Sequence, residues 1–370
     1  VEREDIAAWE AAGLYDPAAP GAADRLALLE YLRERGGSVD AMVAAQSAGS
    51  LPGLAGDLAR QKGRRRINAR ELAERAGVDL ESVFRVSRAA GLVQVDPGDP
   101  IYLESDVETF KVFAVGAQFF GEDSALQFGR VIGAAMATVA DAAMSEFGRD
   151  VRPRLNEAGA SELEYAKAAE FASSLLVNDV PLAVQTLFFH HVEAAVRRLQ
   201  VSGFAATAHL AVGFLDLVGS TAMGERLDAN ELGAALGDFE RDAVEAVGDQ
   251  GGRVVKTIGD EVMFVANTAQ AACDIALAVT ERVERHPVLP KLRGGLSTGG
   301  LVRGYGDYYG PVVNAAARIV KLADPGDVLV TDAVRREIEA DGGAARFVAA
   351  GTHELRGVEG TLDLFRLERA

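Results

Sequence analysis

The sequence predicts an α+β protein of two domains: an all-helical domain over residues 1–202 and a mixed strand-and-helix domain over residues 203–370. Three observations predict this. The chain of 370 residues is too long for one ordinary domain. Apolar residues recur at helical spacing as far as about Gln200. After Val201-Ser202-Gly203 the period changes to short apolar runs separated by glycine turns.

In the first domain, Ala22 to Arg35 carries Leu26, Leu29 and Leu32 on one helix face. Asn68 to Ala76 and Leu80 to Ala90 read as two short helices separated by Gly77-Val78-Asp79. Asp106 to Phe120, Asp123 to Phe147 and Ser161 to Leu176 are longer helical patterns. A last helix starts near Pro181, suited to a first turn, and runs to about Gln200. In the second domain, Leu210 to Leu217 is a short apolar strand and Ser220 to Val247 is helical. Arg253 to Ile258 and Val262 to Ala266 pair as a hairpin around Gly259-Asp260-Glu261. A helix (Thr268 to Glu284), a strand (Leu292 to Arg303) and a helix (Val312 to Leu322) follow. Then come a strand (Val328 to Thr331), a helix (Asp332 to Ala340) and a closing strand pair, His353 to Leu355 with Thr361 to Leu367. This β-α-β-β-α-β order with additions predicts a ferredoxin-like sheet with helices on one face.

Composition excludes several classes. A net charge of −17 argues against a chain whose main partner is nucleic acid, since each neutralised phosphate needs a Lys or Arg. The single cysteine, Cys273, rules out an internal disulfide framework and fits a reducing, cytoplasmic setting. Val1 to Trp9 is acidic and polar, unlike a secretory signal. The longest apolar candidate, Val131 to Ala140, is too short to span a bilayer, so no membrane association is expected.

Two aspartates follow apolar strands. Asp216 ends the first strand, and Asp260 sits at the hairpin tip. Paired carboxylates at adjacent strand ends suit Mg²⁺, an ion that takes oxygen ligands and keeps substrate phosphates in its shell. The turn Gly219-Ser220-Thr221 before a helix offers backbone N–H groups to a phosphate. Taken singly, Asp216 is equally well a loop aspartate and Asp260 a turn former.

Three blocks occur together: Phe214-x-Asp216-Leu217-x-Gly219-Ser220-Thr221, Lys256-x-x-Gly259-Asp260, and Asp307-Tyr308-Tyr309-Gly310-Pro311-Val312-Val313-Asn314-Ala315-Ala316-Ala317-Arg318. In order and spacing they resemble the class III adenylyl cyclases, from about Ala208 to Leu367. The resemblance implies a nucleotidyl cyclase catalytic domain that converts ATP to cyclic AMP and pyrophosphate with two Mg²⁺ or Mn²⁺ ions. It implies Asp216, Asp260 and the Leu217 carbonyl as metal ligands. Lys256 and Asp307 would recognise adenine, Asn314 would orient the ribose, and Arg318 would stabilise the transition state. Arg356, in Leu355-Arg356-Gly357, stands where a basic triphosphate ligand is usual. The chemistry agrees: Lys256 can donate to adenine N1 and Asp307 can accept from N6, whereas guanine presents the reverse polarity. Ser220 replaces a phenylalanine common in the family, at a position without a ligand role. The family's site forms between two catalytic domains, and this chain has one. A two-fold homodimer with shared sites is therefore expected.

The helical half resembles the regulatory domain of soluble, pH-responsive bacterial adenylyl cyclases, on Gly77-Val78-Asp79-Leu80-Glu81 and Gly91-Leu92. That implies restraint of the catalytic half at neutral pH. His190 and His191, on the helix leading into the second domain, are sensor candidates as well as ordinary surface or core histidines. A second reading is a DNA-binding or signal-binding regulator with a vestigial cyclase domain. The basic run Arg60-Gln61-Lys62-Gly63-Arg64-Arg65-Arg66, followed by two helices about Gly77 with Arg85 and Arg88 on the second, outlines a helix-turn-helix. Such helix pairs are common in bundles that never touch DNA. Val131 to Ala143 either close-packs or lines an apolar cavity.

Overall fold

A computed structural model describes residues 3–93, 96–146, 151–202, 207–358 and 360–369. The chain divides into two compact units, Val1–Arg197 and Arg198–Ala370. The expected helix end at Phe147 and domain start at Gly203 lie outside the described residues.

The first unit opens with helices α1 (Arg3–Ala11), α2 (Ala22–Glu34), α3 (Val39–Ser47) and α4 (Leu54–Gln61). Of these only α2 was expected. They close on a core of Trp9, Leu28, Leu29, Leu32 and Met42, all at most 1% exposed. Next come β1 (Arg66–Ile67), α5 (Ala69–Ala76), α6 (Leu80–Ala89), β2 (Tyr102–Leu103) and α7 (Asp106–Phe120). Asn68 and Asp79 cap α5 and α6 through side-chain oxygens that accept from Glu71 and Ser82 N–H. Gly77 ends α5 in the left-handed conformation, at φ 69°. Ile67, Leu72, Val83, Tyr102 and Phe110 form a second small core around this pair. The basic run is engaged within the protein: Arg65 pairs with Glu71 and Glu104, and Arg66 donates to the Ile101 carbonyl. Arg88 pairs with Glu81, and Arg85 with Glu122. The acids beside Arg65, Arg85 and Arg88 offset part of the positive charge this stretch would present to a phosphate.

The unit continues with α8 (Glu122–Glu146), α9 (Arg152–Glu157), α10 (Glu162–Ser174) and α11 (Val180–Ser202). A break before Pro181 was expected. Instead the chain stays helical from Glu162 to Gln200, with a π-helical turn at Leu175–Asp179. Proline cannot donate to the carbonyl four residues back and its ring crowds it, and a wider π turn relieves that clash. The carbonyl concerned, Val177 O, accepts instead from Arg64 Nη2 at 3.0 Å. This stretch of 39 residues is long and apolar enough to cross a membrane, by length and composition, with a mean hydropathy of 1.3 over its most apolar part. Scattered small polar residues, among them Ser173, Asn178 and Thr186, interrupt its apolar run. Only 6% of that part is buried.

The second unit contains β3 (Thr207–Leu217), α12 (Ser220–Arg226), α13 (Ala229–Asp249), β4 (Arg253–Ile258), β5 (Glu261–Ala266) and α14 (Ala269–Arg285). It goes on through β6 (Leu292–Gly304), β7 (Asp307–Tyr309), α15 (Pro311–Ile319), β8 (Val328–Thr331), α16 (Asp332–Ala340), β9 (Arg346–Glu354) and β10 (Thr361–Glu368). The sheet order is β4-β5-β3-β6-β8-β10-β9, with β7 beside β6. Asp228 caps α13 with a capping box to Glu231, which splits the expected single helix Ser220 to Val247 in two.

Helices lie on both faces, not one. Ala211, Leu215 and Leu217 of β3 pack with residues of α13, α14 and α16, among them Phe239, Ile275 and Val334. Leu210, Val212 and Phe214 face the other way, against Ala316 and Val320 at α15. A strand buried on both faces needs cover on both. Gly295 of β6 permits the close approach of α15: a Cβ there would lie 2.4 Å from Val320 N and 2.6 Å from Ala316 O.

Candidate active site

Strand register assembles the site. Asp216 on β3 lies opposite Glu261 on β5 and Arg293 on β6. All three share the sheet face covered by α15, because side chains alternate and Phe214 and Met263, two residues away, face it too. The row therefore reads acid, acid, base across three neighbouring strands. Arg293 donates to Asp216 Oδ2 from Nε at 2.7 Å and also from Nη2. Lys321, two residues past the end of α15, brings Nζ to 3.2 Å from the same oxygen and 2.6 Å from Glu261 Oε2.

Asp216 is 5% exposed. A buried carboxylate is costly unless paired, and two cations share this one. Burial alone would lower the Lys321 pKa. The hydrogen bond to Glu261, with the charges of Glu261 and Asp216, overrules burial and raises it above the usual lysine value.

The Leu217 N–H donates to the Asp260 carbonyl at 3.2 Å, which ties the hairpin tip to the end of β3. Asp216, Leu217 and Asp260 are thus brought to one edge. The turn after them has Gly219 at φ 84°, a left-handed conformation that glycine adopts without strain, and leads into the seven-residue α12 with Ser220 and Thr221 in its first turn. Among the described residues no three of His, Cys, Asp and Glu gather as a metal cage. Two carboxylates and a carbonyl are hard oxygen donors at a point already holding positive charge. They fit a divalent ion that completes its shell with substrate oxygens.

Lys256 on β4 and Asp307 on β7 form a direct ion pair between Nζ and Oδ2. Lys256 stands opposite Met263 on β5, which gives it the same sheet face as Asp216. Asn314 and Arg318, both exposed, lie one turn apart on α15. Arg356 is exposed in the turn between β9 and β10. His190 and His191 are exposed on α11 in the other unit, with His190 Nδ1 3.8 Å from Glu193.

Sequence reading missed Glu261, Arg293 and Lys321. Glu261 adjoins Asp260, a signal that was present but read as a turn. Nothing in the order of residues shows that Arg293 falls level with Asp216.

Residues 10–196 match the family described as the adenylate cyclase regulatory domain, and residues 205–369 match the adenylate and guanylate cyclase catalytic domain. A pH-sensitive adenylate cyclase of Mycobacterium tuberculosis is 33% identical over 368 residues, covering 94% of this chain and 88% of its own length. An adenylate cyclase of Glutamicibacter nicotianae is 31% identical, covering 82% and 78%. Among solved structures, the adenylyl cyclase CyaB from P. aeruginosa is similar over 45% of this chain and 97% of its own, at 20% identity and a TM-score of 0.40. The chain belongs to the adenylate cyclases, with a regulatory domain of that family ahead of its catalytic domain.

Proposed function

We propose that this adenylate cyclase closes ATP to 3′,5′-cyclic AMP and pyrophosphate in two equivalent sites shared across a homodimer. In this reading residues 203–370 catalyse and residues 1–202 regulate. The observation that carries it is Asp216, nearly buried at a strand end beside Asp260, with cations gathered on one carboxylate oxygen.

Asp216, Asp260 and the Leu217 carbonyl would hold two Mg²⁺ or Mn²⁺. Once bound, the ions would stabilise the attacking 3′-oxygen and the leaving pyrophosphate oxygen. The chain's own residues do the rest. Lys256 donates to adenine N1 and Asp307 accepts from N6. Their mutual ion pair supports this, because each already presents the polarity that adenine requires. Asn314 orients the ribose. Arg318 sets a planar cation against the extra charge on the α-phosphate. Gly219, Ser220 and Thr221 offer backbone N–H groups to phosphate, and Arg293 and Arg356 supply cations to the triphosphate.

Exposed apolar side chains support a second copy as the partner. Phe119, Phe120, Leu182, Phe188 and Phe189 are each at least 58% exposed, on the helical unit. Exposed apolar side chains of this size on α7 and on α11 are in keeping with a protein partner, a second copy included. Regulation by pH rests on the resemblance and on His190 and His191. A histidine charged only in the active arrangement shifts the population toward activity on acidification.

A cyclase assay on the full chain, with ATP and GTP, each metal, and pH from mildly acidic to neutral, tests these points together. Turnover should favour ATP and rise on acidification, less so in a His190→Ala, His191→Ala double variant. Asp216→Ala should lose all measurable turnover; near-normal activity there would remove the metal assignment.

A further inference from the structure

Lys321 is the one cation on Asp216 that the chemistry above does not use. Its position differs in kind from that of Arg293. Arg293 projects from a central strand, level with Asp216 and 25% exposed, so it is held in place. Lys321 stands just past the end of α15, is 52% exposed, and reaches in on a flexible four-carbon stem. Its ammonium bridges Asp216 and Glu261, whose side chains are 7% and 16% exposed on neighbouring strands.

We infer that Lys321 is a displaceable counter-cation for the metal site, a tethered ammonium that holds Asp216 and Glu261 until a divalent ion takes its place. Charge counting supports this. Asp216 and Glu261 bring two negative charges, which Arg293 and Lys321 balance. Adding a divalent ion beside a retained ammonium leaves two uncompensated positive charges, with like charges in contact. Adding the ion while the ammonium withdraws halves that excess, and substrate phosphates can meet the remainder. Arg293 is too confined to withdraw, whereas Lys321 has solvent on its open side. Metal binding is thereby set against an intramolecular competitor. The free enzyme then holds metal weakly, and substrate phosphates supply the difference.

The inference rests on the metal assignment at Asp216. Its experiment measures Mn²⁺ binding to the full-length enzyme without nucleotide, by electron paramagnetic resonance of free Mn²⁺, alongside thermal melting with and without Mn²⁺. Lys321→Met and Lys321→Ala should each bind Mn²⁺ about tenfold more tightly than the parent. Their metal-free melting temperatures should fall, and the rise on adding Mn²⁺ should exceed the parent's. Lys321→Arg, which keeps the charge, should bind Mn²⁺ as weakly as the parent. Unchanged or weaker binding in Lys321→Met and Lys321→Ala overturns the inference. An Asp216→Asn variant separates this from failure of the metal assignment: if it binds Mn²⁺ as well as the parent, Asp216 is not a ligand and both readings fall. If it loses binding while the Lys321 variants are unchanged, only the competitor role falls.

Discussion

At the scale of single residues, charge and register decide what each side chain does. Glu337 on α16 illustrates this away from the site. Its carboxylate receives Thr298 Oγ1 at 2.9 Å, His209 Nε2 at 3.0 Å and the Ala269 N–H at 3.1 Å. It thereby joins α16, β3, β6 and the first turn of α14. Burial alone would raise its pKa, but the bonds from His209, Thr298 and Ala269 outweigh burial and hold it below the usual glutamate value. A folded-state pKa below the unfolded one contributes stability that is full above the unfolded value and is lost as pH falls through the folded one. Acid unfolding of the catalytic half should therefore gain a step below about pH 4.5 that Glu337→Gln removes, read from denaturant midpoints between pH 3 and 6. An equally steep acid loss in Glu337→Gln would place that titration elsewhere. Cys273 is the opposite case: burial in the core beside α14's other apolar residues pushes its thiol up to about 12. Residues adjacent in a motif were legible in the sequence, as Asp216 and Asp260 were. Arg293, Glu261 and Lys321 were not, because they meet Asp216 only through strand register and the end of a helix.

At the scale of elements, glycines separate places where backbone must come close from places where it need not. Gly295 lies under α15, the helix that carries Asn314 and Arg318, and an added methyl meets backbone atoms that cannot turn aside. Gly295→Ala should cost about 1–3 kcal/mol, near the upper end, and lower turnover by displacing α15. Gly237, in the middle of α13, has nothing within 4 Å of an added Cβ. There Gly237→Ala should stabilise by about 1 kcal/mol and leave turnover alone. Urea melts and initial rates of the two variants check the pair. Equal effects would mean that the contact under α15 does not position it. The long, periodic elements were legible: α7 has the bounds its pattern predicted. The short helices α1, α3 and α4 were not; α1 and α3 lack the one-sided apolar pattern that made α5 and α16 legible at similar length. The two-faced sheet was missed for a physical reason. Leu210 to Leu217 is apolar at both parities, which signals burial on both sides, and that signal was read only as a core strand. Helix continuity through Pro181 was missed because it depends on a π turn and on Arg64, more than a hundred residues away in the chain.

At the scale of the whole molecule, the question is whether one chain completes a site. Asp216 and Asp260 sit at the end of β3 and at the β4–β5 tip. Asn314 and Arg318 sit on the exposed side of α15, where Arg318 has open surface to offer a neighbour. If the site is shared, each residue set serves a different one of the two sites in the dimer. Loss of Asp216 then disables the site to which a chain gives its acids, and loss of Arg318 disables the site to which it gives its helix. In a mixed dimer of Asp216→Ala and Arg318→Ala chains, both defects fall in one site and the other site is intact. Each variant alone should be inactive, while an equimolar mixture should recover turnover. With random exchange, half the dimers are mixed and each has one working site of two, so about a quarter of parental activity is expected. Steady-state rates on the mixture, with dimer exchange followed by differently tagged chains, provide the measurement. If mixed dimers form and no activity returns, each site is built within one chain. In that case the exposed face of α15 must be explained by something other than a partner's substrate.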